Sequence, residues 1–298
     1  MTKAKYNPHK EIAAAILVDL HKGVAPWAKP WQAGNTVEPG MPHNASSGRA
    51  YSGGNVIMLW IKQQQRPDWL VPAYLTFKQA KAAGGVVRKG EHGTRIYYIG
   101  RVTVEDRNTG DDKEISFLKS FTVFNLAQCD DLDSEKLKTA DQRWPESVSM
   151  VNGHAAEFYD HIGAEVRHGG GRACYIPSMD VIQMPPVDSF NSEDDYHSTR
   201  FHETGHWTGH TSRLDRLTNS RFRDKNYAFE ELIAELTSAF LCAELGVKGR
   251  LQHAEYIANW IELLEDHDRA FMAAASAASK AVEYIREQVM AAVVEMAA

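Results

Sequence analysis

His202-Glu203-Thr204-Gly205-His206 constrains this chain more than any other stretch. In a helix, two histidines at i and i+4 share a face one turn apart, so H-E-x-x-H read as a helix lets both imidazoles reach one metal ion. Glu203 falls beside them, where it can take a proton from a metal-bound water. Zinc lowers the pKa of such a water from about 16 to about 7, and a carboxylate completes its activation for attack on a carbonyl. Phe201 and Trp207 supply apolar bulk on either side, and Thr204 and Gly205 are small, as the crowded middle of such a helix prefers.

Two histidines leave a catalytic zinc one protein ligand short. Glu231 and Glu235 lie at i and i+4 inside an apolar-periodic run, residues 227–245, that reads as a second helix. One of them can bind metal while the other accepts a hydrogen bond from a ligand histidine. Glu231 is the favoured ligand and Glu235 the supporting carboxylate, with the reverse assignment open. This is the arrangement of the thermolysin-like, glutamate-liganded (gluzincin-type) zinc peptidases. Glu230 points off that face and is expected in solvent. His210 offers a rival ligand, because H-E-x-x-H-x-x-G runs through Gly209, but Ser212 stands where a metzincin needs its third histidine. His210, Tyr227 and Arg213 remain candidates for polarising a substrate carbonyl.

The charge is divided unevenly. Residues 1–130 hold 17 Lys+Arg against 11 Asp+Glu, and the remainder holds 16 against 28. A basic half joined to an acidic half suggests two tasks, with the basic half facing a polyanion. A length of 298 residues fits two domains. Residues 1–130 are expected as the first, 131–150 as an acidic linker and 151–298 as the second. No apolar run is long enough to span a bilayer, the N-terminus lacks a signal-peptide core, and Cys129, Cys174 and Cys242 form no pair motif. These features place the chain in a reducing cytoplasm, away from membranes.

The fold class expected is α+β. In the first half, Ile12, Ile16 and Leu20 mark an amphipathic helix. Ala25-Pro26-Trp27-Ala28-Lys29-Pro30-Trp31 is barred from helix by its prolines. Its two tryptophans can stack on unpaired bases with Lys29 on a phosphate, or fold back into the core. Gly53-Gly54, ahead of a helix, reads as a turn, or more weakly as a phosphate cradle. Thr76 caps a helix after a short strand, and alternating segments from Val86 to Phe124 give a small antiparallel sheet. Arg49, Tyr51, Lys78, Arg88, Lys89 and Arg95, interleaved with aromatics such as Phe77, Tyr97 and Tyr98, suit a sequence-tolerant grip on single-stranded DNA. The second half reads as mostly helical with short strands, and proline-bounded Val181–Met184 suits an edge strand that pairs with a peptide.

Several longer strings are specific. Gly48-Arg49-Ala50-Tyr51-Ser52-Gly53-Gly54-Asn55-Val56, Leu75-Thr76-Phe77-Lys78-Gln79-Ala80 and Phe121-Thr122-Val123-Phe124-Asn125 lie in the first half. In the second half, the metal motif continues through Trp207-Thr208-Gly209-His210, and Tyr227-Ala228-Phe229-Glu230-Glu231-Leu232-Ile233-Ala234-Glu235 follows. Across nearly its full length the chain resembles the ArdC family of plasmid-encoded antirestriction proteins. The resemblance implies an N-terminal domain that binds single-stranded DNA and a C-terminal zincin-like metallopeptidase domain. It also implies protection of DNA entering a new host by conjugation.

The expectation is a zinc peptidase with one ion per chain, held by His202, His206 and Glu231, with Glu203 as general base. Single-stranded DNA, and beyond it duplex DNA, would be its nucleic-acid partners. Its protein substrate would be a DNA-bound host protein, restriction machinery being the candidate. The rival expectation is a DNA-masking protein whose zinc domain is structural or regulatory. A nuclease is disfavoured, because no second carboxylate cluster supports paired metals.

Overall fold

The computed structural model describes residues 7–28, 40–105, 112–141, 143–144, 155–217, 223–249 and 256–296. Helix α1 (Pro8–Leu20) starts where the Asn7 side chain accepts the N–H groups of His9 and Lys10 and Pro8 supplies a preset φ. Ile12, Ile16 and Leu20 form its buried face. Strand β1 (His43–Asn44) is followed by α2 (Gly54–Gln64), β2 (Ala73–Thr76) and α3 (Phe77–Ala82). Thr76 caps α3 in a reciprocal box with Gln79. Then come β3 (Val86–Val87), β4 (Thr94–Glu105), β5 (Asp112–Asn125) and β6 (Cys129–Asp130).

The main sheet runs in the order β1-β2-β5-β4, with β1 parallel to β2 and the other neighbours antiparallel. Val86 and Ile96 thus do not share a hairpin: β3 pairs with β6 in a separate ribbon. Tyr97 and Val102 lie in one twelve-residue strand. Gly53-Gly54 is a packing device. Gly53 adopts φ +62° and donates its N–H to Ser279 Oγ at 2.9 Å, and a Cβ on Gly54 would lie 2.1 Å from Met272 Sδ.

The second half contains α4 (Ala155–Ile162), β7 (Glu165–His168), β8 (Cys174–Ile176), β9 (Val181–Met184), α5 (Glu193–Trp207), α6 (Arg223–Leu245), α7 (Ile257–Asp266) and α8 (Ala270–Met296). Strand order is β7-β9-β8. Val181–Met184 is therefore central, paired on both sides, and Cys174–Ile176 is the edge facing α5. Helix α6 packs between α5 and α8. Ala274, Ala275, Ala278 and Ala281 are fully buried on α8 and let its neighbours approach closely. Among the described residues, no helix is long and apolar enough to cross a membrane.

The core runs through both halves. Trp27 is fully buried, edge-on to Trp260 at 5.4 Å and stacked on Phe271 at 5.9 Å, and Trp60 packs on Phe240 at 5.9 Å. The segment expected as a linker is docked along its described length. Lys138 and Asp141 donate their N–H groups to Ala45 and Gly48, and buried Trp144 donates Nε1 to Glu244 at 2.9 Å. Arg143 and Arg286 pair with the same glutamate.

Candidate metal centre

Ser192 caps α5 by accepting the Asp195 N–H, and three acidic residues in the first turn suit the positive end of the helix dipole. The helix then carries His202 and His206 onto one face, 4.8 Å between ring centres. Gly205 lets α6 come close: a Cβ there would lie 3.0 Å from the Ala234 Cα. This approach brings Glu231 opposite both histidines. Its carboxylate oxygens lie 3.3 Å from His202 Nε2 and 3.6 Å from His206 Nε2. The three candidate ligand atoms lie within 4.8 Å of one another, the one such group among the described residues.

Each imidazole is supported from behind. His202 Nδ1 faces Glu235 at 3.3 Å, and His206 Nδ1 faces Glu230 at 3.5 Å. Glu235 thus stands behind His202, and Glu231 takes the position nearest both Nε2 atoms. Glu230 departs from the expectation of a solvated side chain. It is largely buried and pairs with Arg216 at 3.0 Å. Arg216 also donates to the Gly205 carbonyl and the Thr208 hydroxyl, closing the end of α5.

Burial lowers both histidines, but the carboxylates outweigh it. Glu231 and Glu235 raise His202 to about 9, and Glu230 and Glu231 raise His206 to about 10. Burial pushes the Glu231 carboxyl up, yet the two imidazoles hold it well below the usual carboxylate range. Two imidazole nitrogens and one carboxylate converging on one point, each ring braced by a second carboxylate, fit a divalent metal ion.

Glu203 is buried, and its Oε2 accepts the Tyr175 backbone N–H at 2.8 Å. Edge strand β8 therefore pins the acid beside the two histidines. Tyr175 also donates its hydroxyl to Asp180 at 2.7 Å. Arg213 stacks over Trp207 at 4.1 Å, bonds the Trp207 carbonyl, pairs with Asp180 and donates to the Tyr175 hydroxyl at 3.1 Å. Arg213 thus ties the β8–β9 turn to the end of the metal helix. Its hydrogen bond brings Asp180 down to about 2. His210 turns to Ser212 at 2.8 Å. The Tyr227 hydroxyl meets that of Tyr256 at 2.9 Å; burial, Tyr256 and the Glu231 carboxylate raise its pKa strongly.

The DNA-contact candidates separate. Trp27 is a core residue, and that corrects its expected stacking role: α7 and α8 close over its ring. Lys29 and Trp31 lie outside the described residues. Arg49, Lys78 and Lys89 are exposed, and Tyr51 is half-buried against Tyr74. Arg88 pairs with Asp130 and Glu91, and Arg95 with Glu11 at 3.7 Å. Tyr97 is buried. The residues missed from sequence, Tyr175, Asp180, Arg216 and Glu230, act through folding partners far along the chain. Only Glu230, beside Glu231, carried a local signal.

Fold and donor set together define a zincin-like metallopeptidase-type domain built onto a small α+β domain. Residues 153–277 match the family described as zincin-like metallopeptidase, and residues 7–124 match the N-terminal domain of anti-restriction factor ArdC. The antirestriction ArdC protein of plasmid R388 is 36% identical. Its metal-free crystal structure superposes with a TM-score of 0.81, covering 96% of this chain and 99% of that one. Its Mn(II)-bound structure gives 0.77, with 95% and 98% covered. This chain belongs to the ArdC family of antirestriction proteins. A Sinorhizobium fredii protein, y4eC, is 31% identical over 94% of this chain and 92% of its own. Two Escherichia coli proteins named DNA primase TraC are 37% and 36% identical over 96% and 93% of this chain. The chain spans 27% and 20% of their lengths.

Proposed function

We propose that this chain is a cytoplasmic antirestriction protein that binds single-stranded DNA through residues 1–130 and carries a zinc-dependent peptidase centre in residues 151–298. It protects plasmid DNA entering by conjugation. The observation that carries the reading is Glu203, pinned by an edge strand beside two histidines and a carboxylate aimed at one point. A purely structural metal site has no use for such a base.

His202, His206 and Glu231 would hold one zinc ion per chain, and zinc there would supply an acidified water and a polarised carbonyl. Glu203 is the general base, placed to take up a proton on its carboxylate, and the Tyr175 N–H keeps that carboxylate oriented. Glu235 and Glu230 fix the two rings so that each presents Nε2. Tyr227, steadied by Tyr256, donates to the oxygen on which negative charge develops. The substrate is a DNA-bound host protein, with restriction machinery the first candidate, and DNA binding delivers the peptidase to it.

The test compares host proteomes during plasmid entry into a restricting host, with wild type and with Glu203→Gln. Glu203→Gln should keep one zinc by metal analysis, and a host protein that falls with wild type should persist. Matching proteomes with full protection by Glu203→Gln would instead make the protein a DNA mask with a structural zinc. Cleavage of unprotected DNA would point to a nuclease.

A further inference from the structure

Strands β4 and β5 pair over twelve rungs, from Thr94↔Val123 to Glu105↔Asp112. Only the first rungs are backed by the body. Thr94, Ile96 and Val123 are buried, with Leu59, Trp69 and Tyr74 packed around the two apolar ones. From Tyr98 outward, the pair carries an apolar face that the described residues leave open. Cross-strand partners share a face, so the register fixes what that face displays. The rungs are Ile96↔Phe121, Tyr98↔Lys119, Gly100↔Phe117, Val102↔Ile115 and Val104↔Lys113.

This face is apolar yet exposed. Tyr98 is 56% exposed, and Val102, Val104, Ile115 and Phe121 are 43–45% exposed. A contiguous apolar strip of this kind marks an interaction surface. Its charged members are Lys113 and Lys119; among the described residues no carboxylate shares the face, and Asp112 belongs to the opposite one. Tyr98 and Phe117 lie 6.2 Å apart, with the Lys119 ammonium 5.0 Å from the Phe117 ring centre. Gly100 makes room for that ring: a Cβ would lie 2.3 Å from Phe117 Cζ. Aromatic rings alternating with cations, and no acid among them, complement a chain in which flat bases alternate with phosphates. Ile96 to Val104 spans about 27 Å at roughly 3.4 Å per residue. That is up to about eight stacked nucleotides, within the usual reach of single-strand grips.

We propose that the Tyr98–Lys113–Ile115–Phe117–Lys119–Phe121 face of the β4–β5 hairpin is where single-stranded DNA lies. The proposal rests on the reading that this protein binds single-stranded DNA, and it names the surface. Neither Trp27 nor the cations paired with Asp130, Glu91 and Glu11 take part.

The experiment uses the full chain and a fluorescein-labelled twelve-nucleotide thymidine oligomer, followed by anisotropy over a salt series. Tyr98→Ala and Phe121→Ala should each weaken binding about five-fold or more. Lys113→Gln with Lys119→Gln should make the slope of log K against log salt shallower by about 1.4, at about 0.7 per phosphate contact. Leu118→Ala, on the opposite face of the same hairpin, should bind as wild type. Wild-type binding with unchanged Tyr98, Phe121 and lysine variants would place the DNA elsewhere and leave the DNA-binding reading standing. No saturable binding by wild type would remove both. Concentration-dependent self-association lost in the same variants, with DNA affinity intact, would make the face a contact between copies. Should a variant melt early, crosslinking of a 4-thiothymidine oligomer to wild type decides: adducts on this face support the proposal, and adducts confined to other segments overturn it.

Discussion

Replacing Trp27 by alanine should destabilise the whole protein and leave its grip on DNA intact. The ring is fully buried between Trp260 and Phe271, so truncation removes a large transfer free energy and leaves a cavity lined by two more aromatic rings. Such truncations cost about 3–5 kcal/mol. An unfolding entropy of about 2.1 cal/mol/K per residue gives a chain of 298 residues roughly 0.6 kcal/mol/K, so Tm should fall by about 5–8 °C. Trp27→Phe should cost much less, about 1–2 kcal/mol, because it keeps most of the bulk and removes an indole N–H that has no hydrogen-bond partner among the described residues. The assay is thermal melting followed by circular dichroism, with oligonucleotide anisotropy measured well below Tm. A variant that melts like wild type but loses DNA affinity five-fold would refute the packing argument and return Trp27 to a stacking role.

Glu231→Ala should abolish stoichiometric metal binding, and Glu235→Ala should weaken it about 10- to 100-fold, measured by competition with a chromophoric chelator; the opposite order would exchange their roles. Gly205→Val should push α5 off α6 at Ala234, costing about 1–3 kcal/mol and lowering metal content with Tm, and an unchanged variant would contradict the close approach. Metal uptake at pH 7 should release protons, because the surrounding carboxylates raise His202 and His206 before the ion arrives and both must bind it neutral. Calorimetry in buffers of different ionisation enthalpy counts them, and release of none would contradict the raised values. In the metal-free protein these raised imidazoles add stability that is full below about pH 6.5 and lost as pH climbs through 9 to 10, a trend that melting against pH checks.

The parts of the centre that repeat with helical spacing were legible in the chain. His202 and His206, and Glu231 and Glu235, each lie one turn apart, and one helical period assigns each pair to a face. What a neighbouring segment supplies was not legible. Glu230 sits off the Glu231 face, and nothing local says that Arg216 returns to hold it against His206. Strand order is equally silent: Val181–Met184 has the composition of an edge but lies between two partners, because β7 and β8 flank it from positions the local pattern does not encode. Gly53-Gly54 reads as a turn from either side, and only the close approach of α8 shows why no side chain fits there. The hairpin register followed from alternation once β4 and β5 were known to pair, but its exposure depended on where the body of the sheet ends.

The core that crosses from one half to the other has a consequence for dividing the chain. A cut anywhere between residues 125 and 155 would strip Trp27 and Trp60 of their neighbours on α6, α7 and α8, and each fragment would carry a bare aromatic scar. A fragment of either half would expose these rings to water, whereas the two halves together keep them covered. The alignments with the TraC proteins run across both halves, over 96% and 93% of this chain, inside much longer relatives. The tryptophans that bridge the two halves are the stitches between them.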